Sequence, residues 1–388
     1  MDRFELVDEK GDSAYIGDRD RRRLYVVKVP KNMVAPWQIA PDKKRRGINI
    51  LGHYVNILSP KVSSIPVDEH GLLIAATSDK KGLKRIEPKR IKLSTQEHLQ
   101  SCPTIIVSDL TKQRRLWRCV DLVHDKEHPH TRLAFKYALD SRFERGVWNE
   151  LSLLGVMPDH PHIVPLHSLV LNTDDYDSSQ QYIMGLTTDF YPGGSLDYVL
   201  GHMTSLGLSD KDAEPFKFKW LKQLVSAVDV LNLEWGIAHM DIDTRNILLD
   251  IETDSVKLCD FGEAISLSTK TQAAMNYSQG EPDWMVSFRM EDVASLCEMV
   301  YEIITHDTSH RDLVLHNSPD ILFNQKYWPL KGKLDCEVSM IRKYLRDWWR
   351  RRVDIYLEET EPSDPLDILP MQPESPKLRA RHQPDTGI

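Results

Sequence analysis

The sequence predicts an α+β fold, β-rich in its first half and mainly helical in its second. Three observations carry that expectation. Short β-branched and aromatic runs recur from Leu24 to Phe190, broken by proline and turn residues. Apolar residues then change to helical spacing, with Phe216, Trp220, Leu224, Val228 and Leu231 at i, i+4, i+8, i+12 and i+15. From His239 to Gly262, two short apolar runs flank a polar turn, which is a hairpin pattern.

The 388 residues suffice for two or three domains, and a net charge of -8 singles out neither nucleic acid nor membrane as a partner. Five cysteines, odd in number, scattered and without metal-ligand spacing, read as reduced thiols of a cytosolic or nuclear protein. The stretch Met1–Lys10 is charged and lacks the apolar core of a signal peptide. No apolar run approaches the roughly 20 residues that a membrane helix requires.

Taken in order, residues 1–100 read as a β-rich accessory region. Leu24–Val29 and Gly71–Ala76 are its expected strands, and Pro30, Pro36, Pro41, Pro60 and Pro66 argue against long helices. The basic clusters Lys43–Arg46 and Lys80–Arg85 read as solvated surface loops before an import signal or an anion patch. Thr104–Val107, Leu116–Val120 and Leu133–Ala138 read as three successive strands, with Ser108–Gln113 as the first connecting loop.

Phe143, Val147, Glu150 and Leu154 then fall on one helical face. Glu150 interrupts that face, and a carboxylate against a core requires a cation, for which Lys136 is the candidate. A strand over Tyr182–Phe190 leads to the turn Pro192-Gly193-Gly194, with Ser195 as a helix N-cap. The helix that begins near Phe216 ends at Gly236.

In the hairpin, Ile247–Leu249 and Val256–Leu258 are the strands, so their outer ends bring Asn246 and Asp260 side by side. An amide oxygen beside a carboxylate suits Mg²⁺. Asp241, on the loop entering the hairpin, is placed to take a proton from a hydroxyl attacking a phosphate. Val338, Ile341, Leu345, Trp348 and Tyr356 suggest a packed terminal helix with Arg350–Arg352 outside. The Pro-rich stretch 359–388 reads as disordered.

His239-Met240-Asp241 to Asn246, followed by Asp260-Phe261-Gly262, resembles the catalytic loop and metal-binding motif of the protein kinase family. His160-Pro161-His162-Ile163-Val164 and Gly280-Glu281-Pro282-Asp283-Trp284-Met285 add to the likeness, and Glu291–Leu296 resembles the start of a further family helix. The resemblance covers residues 104–357 and implies a two-lobed fold, with a small antiparallel β-rich lobe and a mainly helical one. It implies ATP and Mg²⁺ as cofactors, a protein hydroxyl as acceptor, and Ser/Thr over Tyr. Asp241 is then the base, Asn246 and Asp260 the metal ligands, and Lys136, held by Glu150, the phosphate contact. Thr188 becomes the gatekeeper, and backbone groups of Asp189, Phe190 and Tyr191 the adenine contacts. The same resemblance makes His239 a buried strut, Asp292 both a helix cap and the holder of the catalytic loop, and Ser266, Ser268, Thr269, Thr271 and Tyr277 activation-segment hydroxyls.

Four departures stand beside the likeness. Ser108–Gln113 lacks the family's glycines, Met240 replaces an arginine, Asp243 replaces a lysine, and no Ala-Pro-Glu follows. Arg245 is the residue left to supply the charge missing at Asp243. These departures keep two alternatives open, a pseudokinase acting as a nucleotide-binding scaffold and a small-molecule kinase.

Overall fold

A computed structural model describes residues 3–10, 12–19, 22–30, 43–59, 62–78, 88–173, 180–201, 214–267, 284–309 and 319–358. The chain forms two units, Met1–Leu151 with Pro165–Phe190, and Ser152–Val164 with Tyr191–Ile388. Among the described residues, no helix is long and apolar enough to cross a membrane. All five cysteines are free thiols.

The first unit holds two sheets. Strands β1 (Phe4–Lys10), β2 (Ser13–Asp18), β3 (Arg23–Lys28) and β4 (Ser64–Pro66) pair in that order, β4 running parallel to β3. Alternation along β2 and β3 sends Ala14, Ile16, Tyr25 and Val27 to one face and Tyr15, Leu24 and Val26 to the other. Helix α1 (Lys43–Tyr54) covers the first face with Ile50, Leu51 and Tyr54. The prolines do exclude long helices elsewhere in the described part of this region, yet α1 forms between them, and it contains the first basic cluster. Gly71–Ala76 is not a strand: Leu73 packs inward and makes an isolated bridge to Val67, while Leu72 and Ile74 are exposed. Alternating exposure of apolar residues mimicked a strand signal there. The second basic cluster lies outside the described residues.

The other sheet runs β6 (Thr104–Ile106), β10 (Ser168–Thr173), β11 (Gln181–Asp189), β9 (Arg132–Tyr137), β8 (Val120–Asp125), β7 (Leu110–Trp117), with β5 (Ile91–Lys92) also on β11. Tyr15, Leu24 and Val26 share a core with Val123, Leu133, Phe135 and Tyr137 of this sheet. Gly17 lets the two sheets approach, since a Cβ there would meet Leu139 Cδ2 at 2.7 Å.

Two expectations change here. Thr104–Ile106 is a strand, but it pairs in parallel with β10 at the sheet edge and does not precede the next strand in a meander. Strand β8 pairs antiparallel with β9 on one side and β7 on the other, and most of β7 reads as loop in the sequence because Thr111–Arg115 is polar. That polarity reflects an edge strand, where charge and exposure are tolerated. Helix α2 (Ser141–Leu154) follows β9 and buries Val147, Glu150, Leu151 and Leu154.

The second unit is mainly helical. Ser195 caps α3 (Leu196–Leu200) by accepting the Tyr198 amide. Helix α4 (Phe218–Asp229) runs into a π-helical turn, Val230–Glu234, and Gly236 at φ 62° turns the chain out. Short strands β12 (Ile237–Ala238) and β15 (Ile265–Ser266) pair, and β13 (Ile247–Asp250) with β14 (Ser255–Leu258) forms the expected hairpin. Helices α5 (Trp284–Thr305), α6 (Asp320–Phe323) and α7 (Val338–Glu358) complete the unit.

Two side chains differ from expectation. Asp292 lies mid-helix in α5, because the helix begins at Trp284, so it does not cap it. Arg352 is buried, donating to Asp229 Oδ1 at 2.6 Å and Asn232 Oδ1 at 2.8 Å. A run of three arginines on a helix spans about 200°, and here its last member turns inward, where Asp229 and Asn232 receive it. The activation-segment positions from Ser268 to Tyr277 and the stretch 359–388 lie outside the described residues.

Candidate active site

In the second unit, the loop after β12 is hung on Asp292. Its carboxylate accepts the amides of His239 at 2.7 Å and Met240 at 2.8 Å, and Asn232 Nδ2 at 2.8 Å. Met240 is held at φ 66°, a left-handed geometry that costs a side-chain-bearing residue about 1–2 kcal/mol. The bonds from Asp292 offset that cost. Burial pushes the Asp292 carboxyl up, with His239 and the three donors opposing it.

His239 is wholly buried, edge-on to Phe261 with ring centroids 4.8 Å apart. Its Nε2–H donates to Cys259 O at 3.1 Å, and its Nδ1 accepts the Asp241 amide at 3.3 Å. Burial pushes its pKa below the ordinary histidine value. A neutral imidazole with both nitrogens engaged acts as a strut between the loop and β14.

The strut places the polar groups. Asn246 Nδ2 donates to both Asp241 Oδ2 and Asp241 O at 2.8 Å. The Cys259 amide donates to Asn246 O at 2.9 Å, extending the Ile247–Leu258 register outward. Asp260 follows at φ 65°, its Oδ1 accepting the Gly262 amide at 3.3 Å. The hairpin therefore puts Asp241 and Asn246 in direct contact and Asp260 one residue beyond the Cys259–Asn246 bond. Asp243 caps the short 3₁₀ turn Thr244–Asn246 and takes the Arg245 amide at 2.9 Å and Arg245 Nε at 3.0 Å. The Arg245 charge is thus paired with the same acid whose presence it was expected to offset.

The first unit joins Lys136 Nζ to Glu150 Oε2 in an ion pair, with Glu150 buried. Register puts Leu186 opposite Lys136 and Thr188 opposite Ala134, so these residues share a sheet face. Gly185 permits the close passage beside them, as a Cβ would lie 2.1 Å from Lys136 O. Asp189 pairs with Leu133, and the Phe190 amide donates to Arg132 O at 3.1 Å. Of the backbone groups expected to face adenine, that Phe190 donor is already engaged. Tyr191 belongs to the second unit, where its carbonyl accepts the Gly194 amide at 3.1 Å.

Register also relocates the loop expected to cover phosphate. Val120 pairs with Lys136 and Leu122 with Ala134, while Trp117 pairs with Val120 across a two-residue turn. The tip is therefore Arg118–Cys119 and not Ser108–Gln113, part of which forms a 3₁₀ turn, Val107–Asp109. The corrected hairpin, Arg115–Val120, contains no glycine either. Cys119 adopts φ 72° there, and its buried thiol is pushed up in pKa by desolvation.

The protein kinase domain family matches residues 122–312. The chain carries a eukaryotic-type protein kinase domain. It is a divergent one. The serine/threonine-protein kinase CHK1 of Saccharomyces cerevisiae is 26% identical over 286 residues, 68% of this chain and 51% of that protein. The mitogen-activated protein kinase kinase kinase mom-4 of Caenorhabditis elegans is 24% identical, covering 53% of this chain and 37% of its own length. The serine/threonine-protein kinase pim-2 of Danio rerio is 27% identical, covering 41% and 51%. The chain thus spans about half or less of the length of these relatives. The family match begins at Leu122, after the glycine-free tip.

Sequence reasoning missed Asn232 and Glu5. Asn232 is a polar residue inside an otherwise apolar helical run, which is a signal of a buried partner. Glu5 carries no local signal, since its partners lie up to 137 residues away.

Proposed function

We propose that this kinase domain transfers the ATP γ-phosphoryl group to a serine or threonine hydroxyl of a protein. On this reading residues 104–357 are the catalytic domain, and residues 1–100 an accessory region. The observation that carries it is the bond from Asn246 Nδ2 to Asp241 Oδ2. It turns one side chain's two ends to two tasks.

The donor end fixes the Asp241 carboxylate, leaving its other oxygen to accept the proton of an attacking hydroxyl. The acceptor end, Asn246 Oδ1, is on this reading the partner of the Asp260 carboxylate, and the Cys259–Asn246 bond next to Asp260 supports that pairing. Two hard oxygen donors of this kind fit Mg²⁺, which binds through one or two protein groups plus substrate phosphates. Asn246 and Asp260 would hold that ion, and when bound it supplies positive charge to the phosphate oxygens. Lys136, held by its ion pair with Glu150, contacts the phosphates, and the Thr188–Tyr191 segment receives adenine. Phosphoryl transfer depends on placement and charge stabilisation, and this reading assigns them to Asp241, Asn246, Asp260, Lys136 and Glu150.

Radiolabelled phosphate transfer to a panel of protein and peptide acceptors, by wild type and Asp241→Asn, tests this. Transfer by the wild type that Asp241→Asn loses is the expected result. The glycine-free hairpin favours the scaffold reading instead. Stabilisation by Mg·ATP without transfer to any protein or metabolite acceptor would establish that alternative.

A further inference from the structure

Glu5 lies on β1, buried, on the side of its sheet that meets the second sheet of the same unit. Three guanidinium groups converge on it. Arg19 donates through Nε to Oε2 at 3.1 Å and through Nη2 to the same oxygen. Arg118 Nη2 donates to Oε1, and Arg142 Nη2 reaches Oε1 at 3.3 Å.

The three come from different places. Arg19 belongs to the N-terminal region itself. Arg118 is half of the β7–β8 turn, and Arg142 is in the first turn of α2, the helix that carries Glu150. The Phe143 ring is shared by both cations, 5.1 Å from Arg118 and 5.3 Å from Arg142. Wholly buried Asp140 orients the helix end by accepting Arg142 N, Nε and Nη2, each at 2.9 Å. The turn and the helix start therefore share one anion.

We infer that Glu5 is a positioning residue through which the N-terminal region fixes both the glycine-free hairpin and the helix that presents Glu150 to Lys136. The inference rests on the kinase reading for its functional consequence. Three cations around a single carboxylate have a simple dependence on it. With the charge of Glu5 removed, the anion shared by Arg118 on the turn and Arg142 on α2 is lost, while Arg142 keeps its bonds to Asp140. The turn then separates from α2, and the helix start loosens. A tip without glycine cannot recover phosphate contacts by flexing its backbone, so its placement has to come from outside.

The test uses the full chain with Glu5→Gln, and with Arg118→Gln as a milder variant at a half-exposed residue. Arg3→Gln is the control. It breaks the Arg3–Asp18 pair, at 2.8 Å, within the same sheet, and neither residue belongs to the turn or to α2. Hydrogen–deuterium exchange of the nucleotide-free protein should rise at residues 110–121 and 141–151 in both test variants and stay unchanged there in the control. KM for ATP should rise about fivefold or more in Glu5→Gln with kcat less affected, and the Mg·ATP-induced melting shift should shrink.

A lower melting temperature with unchanged exchange, KM and nucleotide shift would overturn the inference, as would an equal KM rise in Arg3→Gln. If wild type neither binds nor transfers, the kinase reading fails, and the exchange measurement still decides whether Glu5 holds the two elements.

Discussion

The catalytic loop of the second unit and the β7–β8 hairpin of the first solve one problem in opposite ways. Each must hold a short irregular segment still, and each contains a non-glycine residue in the left-handed region, Met240 at φ 66° and Cys119 at φ 72°. The loop is secured from within its own unit's helical core, by Asp292 on α5 and by the His239 strut. The hairpin is secured by a residue more than a hundred positions earlier, Glu5, at an edge where the sheet meets the N-terminal region. The loop keeps Asp241 and Asn246 of the family pattern but changes it at Met240 and Asp243, and the hairpin lacks the family's glycines altogether. The difference between them is where the restraint comes from, a carboxylate in the helical core for the loop and a distant strand for the hairpin.

The comparison predicts unequal sensitivity. The largest effect is expected from Asp292→Ala, which strands two backbone amides and the Asn232 amide in a buried site. Stability of the second unit should fall by about 3 kcal/mol or more, read by denaturant unfolding. A loss under about 1 kcal/mol would show that the loop is held by something else.

Next is Lys136→Met, which removes the cation but keeps the stem. Phosphate transfer should drop about 100-fold or more, and the melting temperature should fall as well, because buried Glu150 is left without its cation. A lower melting temperature with transfer retained would make the Lys136–Glu150 pair a structural bridge.

A smaller effect separates strain from packing in the hairpin. Cys119→Ala and Cys119→Gly both remove the thiol, but only glycine relieves the positive φ. Glycine should be the more stable variant by about 1 kcal/mol, measured by thermal unfolding. The reverse order would mean that the turn is unstrained.

The smallest effect concerns pH. His160 and His162, edge to face at 5.6 Å, both have pKa values lowered by burial, with Lys257 adding to the shift in each. A lowered folded pKa means that the unfolded chain binds the proton first. Their contribution is therefore intact above the ordinary histidine value near 6.5 and is lost as pH falls below it. Melting temperature should decline from pH 7 to pH 5, and less steeply in His160→Asn with His162→Asn. An unchanged slope would put the acid sensitivity elsewhere.

Much of the second unit was legible in advance because its signals are local. The hairpin, its turn, the Ser195 cap and the α4 stripe all follow from residues within a few positions of one another. The Lys136–Glu150 pair was also legible, since a carboxylate on an apolar helical face demands a cation. The strand order of the small-lobe sheet was not. Thr104–Ile106 has the β-branched composition of a strand, but composition does not say which neighbour it pairs with. Edge strand β7 is too polar to announce itself. Arg352 looked like its exposed neighbours Arg350 and Arg351, and only the placement of Asp229 and Asn232 separates it from them.

By itself the sequence determined the identity and spacing of the candidate site groups: an acid, an amide and a second acid on one loop and hairpin, and a lysine with its glutamate. Those follow from chain connectivity and short-range periodicity. Tertiary structure alone decided where the β7–β8 hairpin turns, which arginine is buried and what holds its glycine-free tip. Those depend on strand register and on charges brought together across more than a hundred residues, and no local pattern encodes them.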